Sequence, residues 1–178
     1  MIDKKETILQ TALQLFAEDG FDKTSTSKIA KQAGVSEGLI FRHFKNKDGL
    51  LQSLIKNGEE KTKALFRPIL FEIDPENIIR KTIYLVLEIR ENEEIFQVWK
   101  LEYKTKWAKE EYGAHKMEPL RFALTAAFQN LGFVNPKQES LWLIIQLDGL
   151  VTRLYLQDDF DLEGMSQFIW DKYKASIK

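Results

Sequence analysis

Apolar residues recur every three to four positions along most of the chain, without a convincing stretch of alternating apolar and polar residues. A spacing of about 3.6 residues places side chains on one face of an α-helix, whereas alternation is typical of a half-buried strand. The clearest case is segment 4–19, with an apolar stripe of Ile8, Leu9, Ala12, Leu13, Leu15 and Phe16. Asp3 precedes this segment as a helix cap, and Gly20 follows it as a stop. The pattern therefore predicts an all-α protein.

Two short helices joined by a tight turn are predicted next. The first runs over about residues 26–33 after a cap at Thr24 or Ser25, and the second is capped by Ser36. Gly34 lies between them and can adopt the left-handed backbone that a tight turn requires. A helix, a tight turn containing glycine and a second helix are typical of a helix-turn-helix unit.

Six more helices are predicted in the rest of the chain, for about nine in total. Their boundary signals are Asn46 and Pro68 for the fourth, Asp74-Pro75 for the fifth, Asn92 for the sixth, Gly132 for the seventh, Asn135-Pro136 for the eighth and Asp161 for the ninth. Gly58 interrupts the fourth helix and is expected to bend it, because glycine weakens a helix interior. The predicted organisation is a three-helix head over residues 1–47 and a helical body over residues 48–178.

The charge of the chain is unevenly distributed. The whole chain has a net charge of −1, but between Lys23 and Lys47 six basic residues accompany a single acidic one, Glu37. A local basic surface is the electrostatic requirement for binding nucleic acid, even on a chain of nearly neutral overall charge. A solvated charge run is the alternative interpretation, and the surrounding helix-turn-helix pattern favours nucleic acid.

The composition argues against several other classes of protein. The chain has no cysteine and only two histidines, His43 and His115, so neither a disulfide framework nor a closed zinc site is expected. No nucleophile stands at a catalytic spacing from a base, so neither an enzyme nor a cofactor is predicted. No apolar run approaches the roughly 20 residues of a membrane span. Because an apolar signal core is also missing, a cytoplasmic protein is expected.

The segment from Gly20 to Asp48 contains a specific combination of residues. They are Thr24, Ile29-Ala30, Ala33-Gly34-Val35-Ser36, Gly38, Phe41, His43-Phe44 and Asn46-Lys47-Asp48. With these residues, about a quarter of the chain resembles the DNA-binding head of the tetracycline-repressor (TetR) family. The resemblance implies that the head binds double-stranded DNA and that the body binds a ligand and dimerises.

Candidate DNA contacts follow from the resemblance and from the requirements of groove binding. The first residues of a recognition helix reach base edges in the major groove, and short side chains such as those of Ser36 and Gly38 let its backbone approach. Ser36 and the first helical amides can also bind a phosphate. The candidate DNA-binding residues are Thr24, Ser25, Lys28, Ser36, Glu37, Gly38, Leu39, Phe41, Arg42, His43 and Lys47.

Four candidates depart from what the family commonly carries. Glu37 replaces a lysine, Leu39 a small polar residue and Phe41 a tyrosine. A carboxylate repels phosphates unless it accepts a hydrogen bond from a cytosine amine, and Phe41 is expected to contact a sugar or a thymine methyl. Lys28 stands where the family often has an acidic residue and is expected to add a phosphate contact. These departures affect which operator sequence is bound.

Aromatic residues are frequent in the predicted body. Ordinary core packing is the simplest interpretation, and the resemblance implies a ligand pocket as the alternative. The candidate pocket residues are Trp99, Tyr103, Phe122 and Trp142. The resemblance also implies a dimer seam between the last two helices of two chains, where glycine in mid-helix would permit close approach. The candidate seam residues are Gly149, Leu150, Val151, Leu154, Phe168, Ile169 and Trp170.

These features predict a homodimeric, ligand-responsive transcriptional regulator, with repression as the expected outcome. Two recognition helices would enter successive major grooves of a palindromic operator. A partly apolar small-molecule effector would release the DNA. One alternative is a DNA-binding protein controlled by a partner protein, which a body without a cavity would favour. Another is a helical enzyme or interaction module with an unused head, which a metal or cofactor in the body would favour.

Overall fold

The computed structural model describes residues 3–109, 117–157 and 159–177. Within these ranges the chain forms nine α-helices and no strand, which confirms the predicted all-α class. The helices are α1 (Lys4–Asp19), α2 (Thr26–Gln32), α3 (Glu37–Phe44), α4 (Lys47–Leu70), α5 (Pro75–Glu91), α6 (Glu93–Lys109), α7 (Glu118–Asn130), α8 (Pro136–Leu156) and α9 (Leu162–Ser176).

The helices belong to two compact units. The first contains α1, α2, α3, the part of α4 up to Thr62, and α6, and the second contains the rest of α4 with α5, α7, α8 and α9. The first unit is thus larger than the predicted head of residues 1–47, because it includes about four turns of α4 and the whole of α6. A functional division at residue 47 stays a prediction.

The core of the first unit is built from the apolar stripes of its helices. α1 packs against α2 and α6, and α2 packs against α3. The buried residues include the whole stripe predicted for α1, which is confirmed. This core consists of Ile8, Leu9, Ala12, Leu13, Leu15, Phe16, Ile29, Ala30, Ile40, Phe44, Leu50, Leu51, Leu54, Val98 and Leu101.

The turn between α2 and α3 has the predicted geometry. Gly34 has a φ of +65°, and the N–H of Val35 donates to the carbonyl oxygen of Ala30 at 3.0 Å. A hydrogen bond between residues five apart closes the end of a helix when the residue before the donor has a left-handed backbone. Glycine adopts this conformation without steric cost. The predicted helix-turn-helix connection is therefore confirmed.

Two expectations for α4 need revision. The helix continues to Leu70 rather than ending at Pro68. Pro68 removes one N–H donor from the last turn of α4. Because the φ of proline is already helical, the helix continues for two more residues. Gly58 is buried, and a Cβ at this position would overlap the side chain of Val98 on α6. The glycine therefore serves the close approach of α4 and α6, and a bend at Gly58 stays a prediction.

The second unit is formed mainly by α5, α7, α8 and α9. α7 packs against α8, and α5 packs against α7, α8 and α9. The predicted helix starts are confirmed: Asp74 accepts from the N–H of Glu76 at 3.0 Å, and Asp161 accepts from the N–H of Gly164 at 2.8 Å. Among the described residues, no helix has the length and apolarity needed to cross a bilayer.

Candidate nucleic-acid interface

One face of α3 is buried and the opposite face is open to solvent. Only Ile40 and Phe44 anchor this helix deeply in the core of the first unit. Gly38, Arg42 and His43 are exposed, and Phe41 keeps 45% of its surface accessible. A helix held on one side in this way can be inserted into a groove without disturbing its own core.

The start of α3 offers hydrogen-bond donors. Ser36 is the N-cap residue, it is exposed, and its hydroxyl makes no capping hydrogen bond. The first amides of a helix point outwards and carry partial positive charge, which favours a phosphate. The predicted phosphate contact at Ser36 therefore meets no steric obstacle within the chain and is electrostatically favourable.

Glu37 ties α3 to α2. Its Oε1 accepts a hydrogen bond of 2.5 Å from the hydroxyl of Thr26, the first residue of α2. Glu37 is half-buried, so one side of the carboxylate remains accessible. The sequence analysis noted the unusual charge of Glu37 but missed Thr26, for which the eleven-residue separation gives no local signal.

The start of α2 is occupied by local contacts. The Oγ of Ser25 accepts a hydrogen bond from the backbone N–H of Lys28 at 3.1 Å, as expected of a cap. The Nζ of Lys28 forms an ion pair of 2.7 Å with Asp19 of α1. Both side chains are partly exposed, so a phosphate contact by Lys28 would compete with this pair. The direct contact stays a prediction.

One predicted DNA contact is wrong, and a second is only partly accessible. The side chain of Thr24 is fully buried, and its hydroxyl donates to the carbonyl oxygen of Gly20 at 2.8 Å. It braces the loop before α2 and cannot touch a duplex. Leu39 is half-buried and packs against the core of the first unit, which explains why this position is apolar instead of small and polar, and its contact with DNA stays a prediction.

Lys47 is turned towards the loop after α1. Its Nζ donates to the carbonyl oxygen of Phe21 at 3.0 Å and lies 4.4 Å from the centroid of the Phe21 ring. An ammonium above an aromatic face is attracted by the ring quadrupole. Lys47 therefore holds this loop, and its phosphate contact stays a prediction.

A tight junction joins α3 to α4. Lys45 has a φ of +68°, which is strained for a residue other than glycine, and the N–H of Asn46 donates to the carbonyl oxygen of Phe44 at 2.8 Å. The side chain of Asn46 accepts from the N–H of Gly49 at 2.7 Å. The cap was predicted, whereas the strained backbone at Lys45 was not, because no glycine marks it.

Residues 8–54 match the sequence profile described as "Bacterial regulatory proteins, tetR family". This segment contains most of α1, all of α2 and α3, and the start of α4. Residues 8–54 are a TetR-type domain. The predicted resemblance is therefore confirmed, and the open face of α3 lies within the TetR-type domain.

Curated relatives share mainly the TetR-type domain. The fatty acid metabolism regulator protein of Bacillus subtilis (strain 168) is 49% identical over 49 residues, which are 28% of this chain and 25% of that protein. The HTH-type transcriptional regulator AcrR of Shigella flexneri is 35% identical over 94 residues, or 52% of this chain and 44% of that protein. The chain spans less than half the length of the curated relatives it matches, from 18% to 44%.

The similarity in fold extends beyond the TetR-type domain. A solved structure titled "SmeT-Triclosan complex" superposes with a TM-score of 0.75 over 98% of this chain and 92% of that chain, at 19% sequence identity. At this level of identity the likeness concerns the fold. The helices outside the TetR-type domain therefore also follow an architecture known from other proteins.

The four predicted pocket residues are divided between the two units. In the first unit, Trp99 is buried and its Nε1 donates to the buried hydroxyl of Thr62 at 2.9 Å, while Tyr103 is half-buried. In the second unit, Phe122 and Trp142 keep 66% and 58% of their surface exposed. Phe122 points into solvent, whereas Trp142 lines part of a small open cleft, and a ligand pocket that includes these residues stays a prediction.

The predicted dimer seam is partly wrong as well. Leu150, Val151, Ile169 and Trp170 are buried inside the second unit and are not available to a partner. Gly149 and Phe168 are exposed, and Leu154 is half-buried. The predicted seam did not include the apolar residues on the exposed face of α8, which are Leu141, Trp142 and Ile145. Their spacing to Gly149 was a usable signal, because residues four apart share a helix face.

A small open cleft lies between α8 and α9. Its volume is about 180 Å³, and its lining includes Phe133, Glu139, Trp142 and Tyr173. Burial, together with the negative charge of Glu139, raises the pKa of the Tyr173 phenol. The cleft is smaller than the roughly 300 Å³ at which ligand pockets usually begin. In the described ranges no three potential ligands gather around a metal position, and His115 lies outside these ranges.

Proposed function

We propose that this chain is a homodimeric transcriptional regulator that binds palindromic DNA through α3 and responds to a small-molecule effector. The open face of α3 carries this proposal, since it presents Gly38, Phe41, Arg42 and His43 to solvent within a TetR-type domain. Basic side chains and a free N-cap hydroxyl are the groups that position a helix on the phosphate backbone.

Dimerisation is supported by the exposed face of α8. Leu141, Trp142 and Ile145 form an apolar surface on this helix, and a Cβ added at Gly149 would meet no atom within 4 Å. A second copy of the chain, related by a two-fold axis, can cover such a surface, because the same patch of each copy then contacts the other. Glycine then lets the two helix backbones approach closely.

Effector control is supported by the likeness in fold to SmeT, whose structure was solved as a complex with triclosan. An effector can weaken DNA binding only if it has higher affinity for the conformation that binds DNA less well. The effector is proposed to be small and partly apolar. A screen of small molecules, first for thermal stabilisation of the protein and then for release of the protein from DNA, would identify the effector.

Selection of bound sequences from random duplex DNA tests the proposal. The expected result is an inverted repeat with half-sites about one helical turn apart, or a multiple of that distance. Affinity is expected to fall steeply with salt, because phosphate contacts release counterions. A purified chain that enriches no sequence and binds no duplex at low ionic strength would refute the DNA-binding function.

A further inference from the structure

The first residue of α3 has a charge opposite to that of its surroundings. Glu37 is the single acidic residue between Lys23 and Lys47, a stretch that contains six basic residues. It stands at the end of α3 that a recognition helix directs towards base edges. An acidic group here weakens the general attraction to DNA, so it requires a compensating interaction in any specific complex.

DNA offers a carboxylate few partners. An ionised carboxylate only accepts hydrogen bonds, and phosphate oxygens are also acceptors. In the major groove the donors are the amines of cytosine and adenine. The adenine amine stands beside the acceptor N7, which repels the second carboxylate oxygen, whereas cytosine presents its N4 amine without an adjacent acceptor on the same base. Cytosine is therefore the better partner.

The carboxylate of Glu37 is held in place before DNA binds. The hydroxyl of Thr26 donates to Oε1 at 2.5 Å, which fixes the side chain and leaves the other oxygen for a further donor. A group that is already oriented loses less conformational entropy on binding. Thr26 lies on α2 and so links the orientation of the carboxylate to the helix-turn-helix geometry.

We propose that Glu37 recognises the amine of a cytosine in each operator half-site and that Thr26 is a positioning residue for this contact. The inference rests on the proposed function. It explains the acidic residue in a basic stretch as a determinant of sequence specificity.

Selection from random duplex DNA with wild-type protein and Glu37→Gln tests the contact. Glutamine can still accept the Thr26 hydrogen bond, but it replaces one acceptor oxygen by a donor. Wild type is expected to favour cytosine at one position of each half-site by about five- to a hundred-fold. Glu37→Gln is expected to lose this preference and to gain one for adenine, with which glutamine pairs in a bidentate manner. The same cytosine preference in both proteins would overturn the inference.

Two further variants separate specificity from charge and folding. Glu59→Gln removes an equal charge from the exposed surface of α4 and is expected to raise affinity for all sequences without changing the selected bases. Thr26→Val is expected to weaken the cytosine preference several-fold while cytosine remains favoured, and an unchanged preference would refute the positioning role. If wild type selects no inverted repeat, the proposed function fails. If it selects a repeat that does not depend on Glu37, only this inference fails.

Discussion

The carbonyl oxygen of Phe44 lies against the Cα of Gly49 across the junction between α3 and α4, and no side chain fits between them. The same junction contains the left-handed Lys45 and the cap at Asn46. Because Phe44 also anchors α3 in the core, this contact fixes the angle at which α4 follows α3. A substitution at Gly49 should therefore lower stability, whereas a substitution at Gly38 should affect DNA binding alone.

Gly49→Ala is expected to destabilise the protein by about 2 kcal/mol, because the added methyl group would overlap a backbone atom that cannot rotate away. Chemical denaturation followed by circular dichroism measures the change. The gain in helix propensity of about 1 kcal/mol offsets only part of the overlap. A variant as stable as wild type would show that the junction is not tight.

Gly38→Ala is the matched control on α3. A Cβ at Gly38 would meet nothing within 4 Å, and the residue is exposed. This variant is expected to be as stable as wild type or up to about 1 kcal/mol more stable. Its DNA affinity should nevertheless fall, because the methyl group stands where the helix backbone approaches the duplex.

The salt dependence of DNA binding should distinguish two contacts of the α3 surface. Arg42→Ala is expected to reduce the slope of log affinity against log salt by about one unit, because a cationic contact to phosphate is lost. Ser36→Ala should weaken binding with an unchanged slope, because a neutral hydroxyl displaces no counterion. Titrations at several salt concentrations measure both slopes. Equal slopes for wild type and Arg42→Ala would place Arg42 away from phosphate.

The sequence predicted the helices and their caps because these depend on local spacing. The apolar stripe of α1, the turn at Gly34 and the caps at Asp74 and Asp161 are all set by residues within a few positions of one another. The match to the family also led to the exposed face of α3. Such signals act within one helix or one turn.

The errors concern which side chains face the core of their own unit. Thr24 was predicted to contact DNA but is buried, and Trp170 was predicted at a partner interface but packs inside its own unit. Phe122 was predicted in a pocket but is exposed. Thr24 is held inside by hydrogen bonds to the carbonyl oxygens of Gly20 and Leu15, whereas the direction of Phe122 and Trp170 depends on neighbouring helices distant in sequence. The hydrogen bond from Thr26 to Glu37 is of the same non-local kind.

Acid should weaken one contact at the start of α5. Hydrogen bonds from the Lys81 ammonium and from the N–H groups of Asp74 and Ile73 lower the pKa of Glu72 from 4.5 to about 2. A carboxyl whose pKa is depressed in the folded state stabilises the protein fully above its unfolded pKa and loses this effect as pH falls towards its folded pKa.

The difference in melting temperature between wild type and Glu72→Gln is therefore expected to be constant above about pH 5 and to shrink between the two pKa values. Lys81→Met provides the control, since it removes the largest cause of the shift and should reduce the effect of Glu72→Gln without abolishing it, because the N–H hydrogen bonds from Ile73 and Asp74 remain. A difference that grows as the pH falls would contradict the sign of this linkage.

The exposed apolar face of α8 should determine the oligomeric state. Ile145 is 50% exposed, and Ile145→Glu would place a charge in the proposed interface, where it would lose its hydration without a partner. Sedimentation velocity at micromolar concentration is expected to give a dimer for wild type and a monomer for this variant. Val134→Glu, at a residue 91% exposed in the loop between α7 and α8, introduces the same charge and should leave the dimer intact.

DNA binding then distinguishes loss of the interface from loss of folding. A dimer on a palindromic operator binds its second half-site as an intramolecular event, which raises affinity by about a hundred-fold or more over one half-site. Ile145→Glu is expected to lose this advantage on the full operator and to bind a single half-site as well as wild type does. A variant that stays dimeric, or a wild-type protein that sediments as a monomer, would show that α8 does not form the interface.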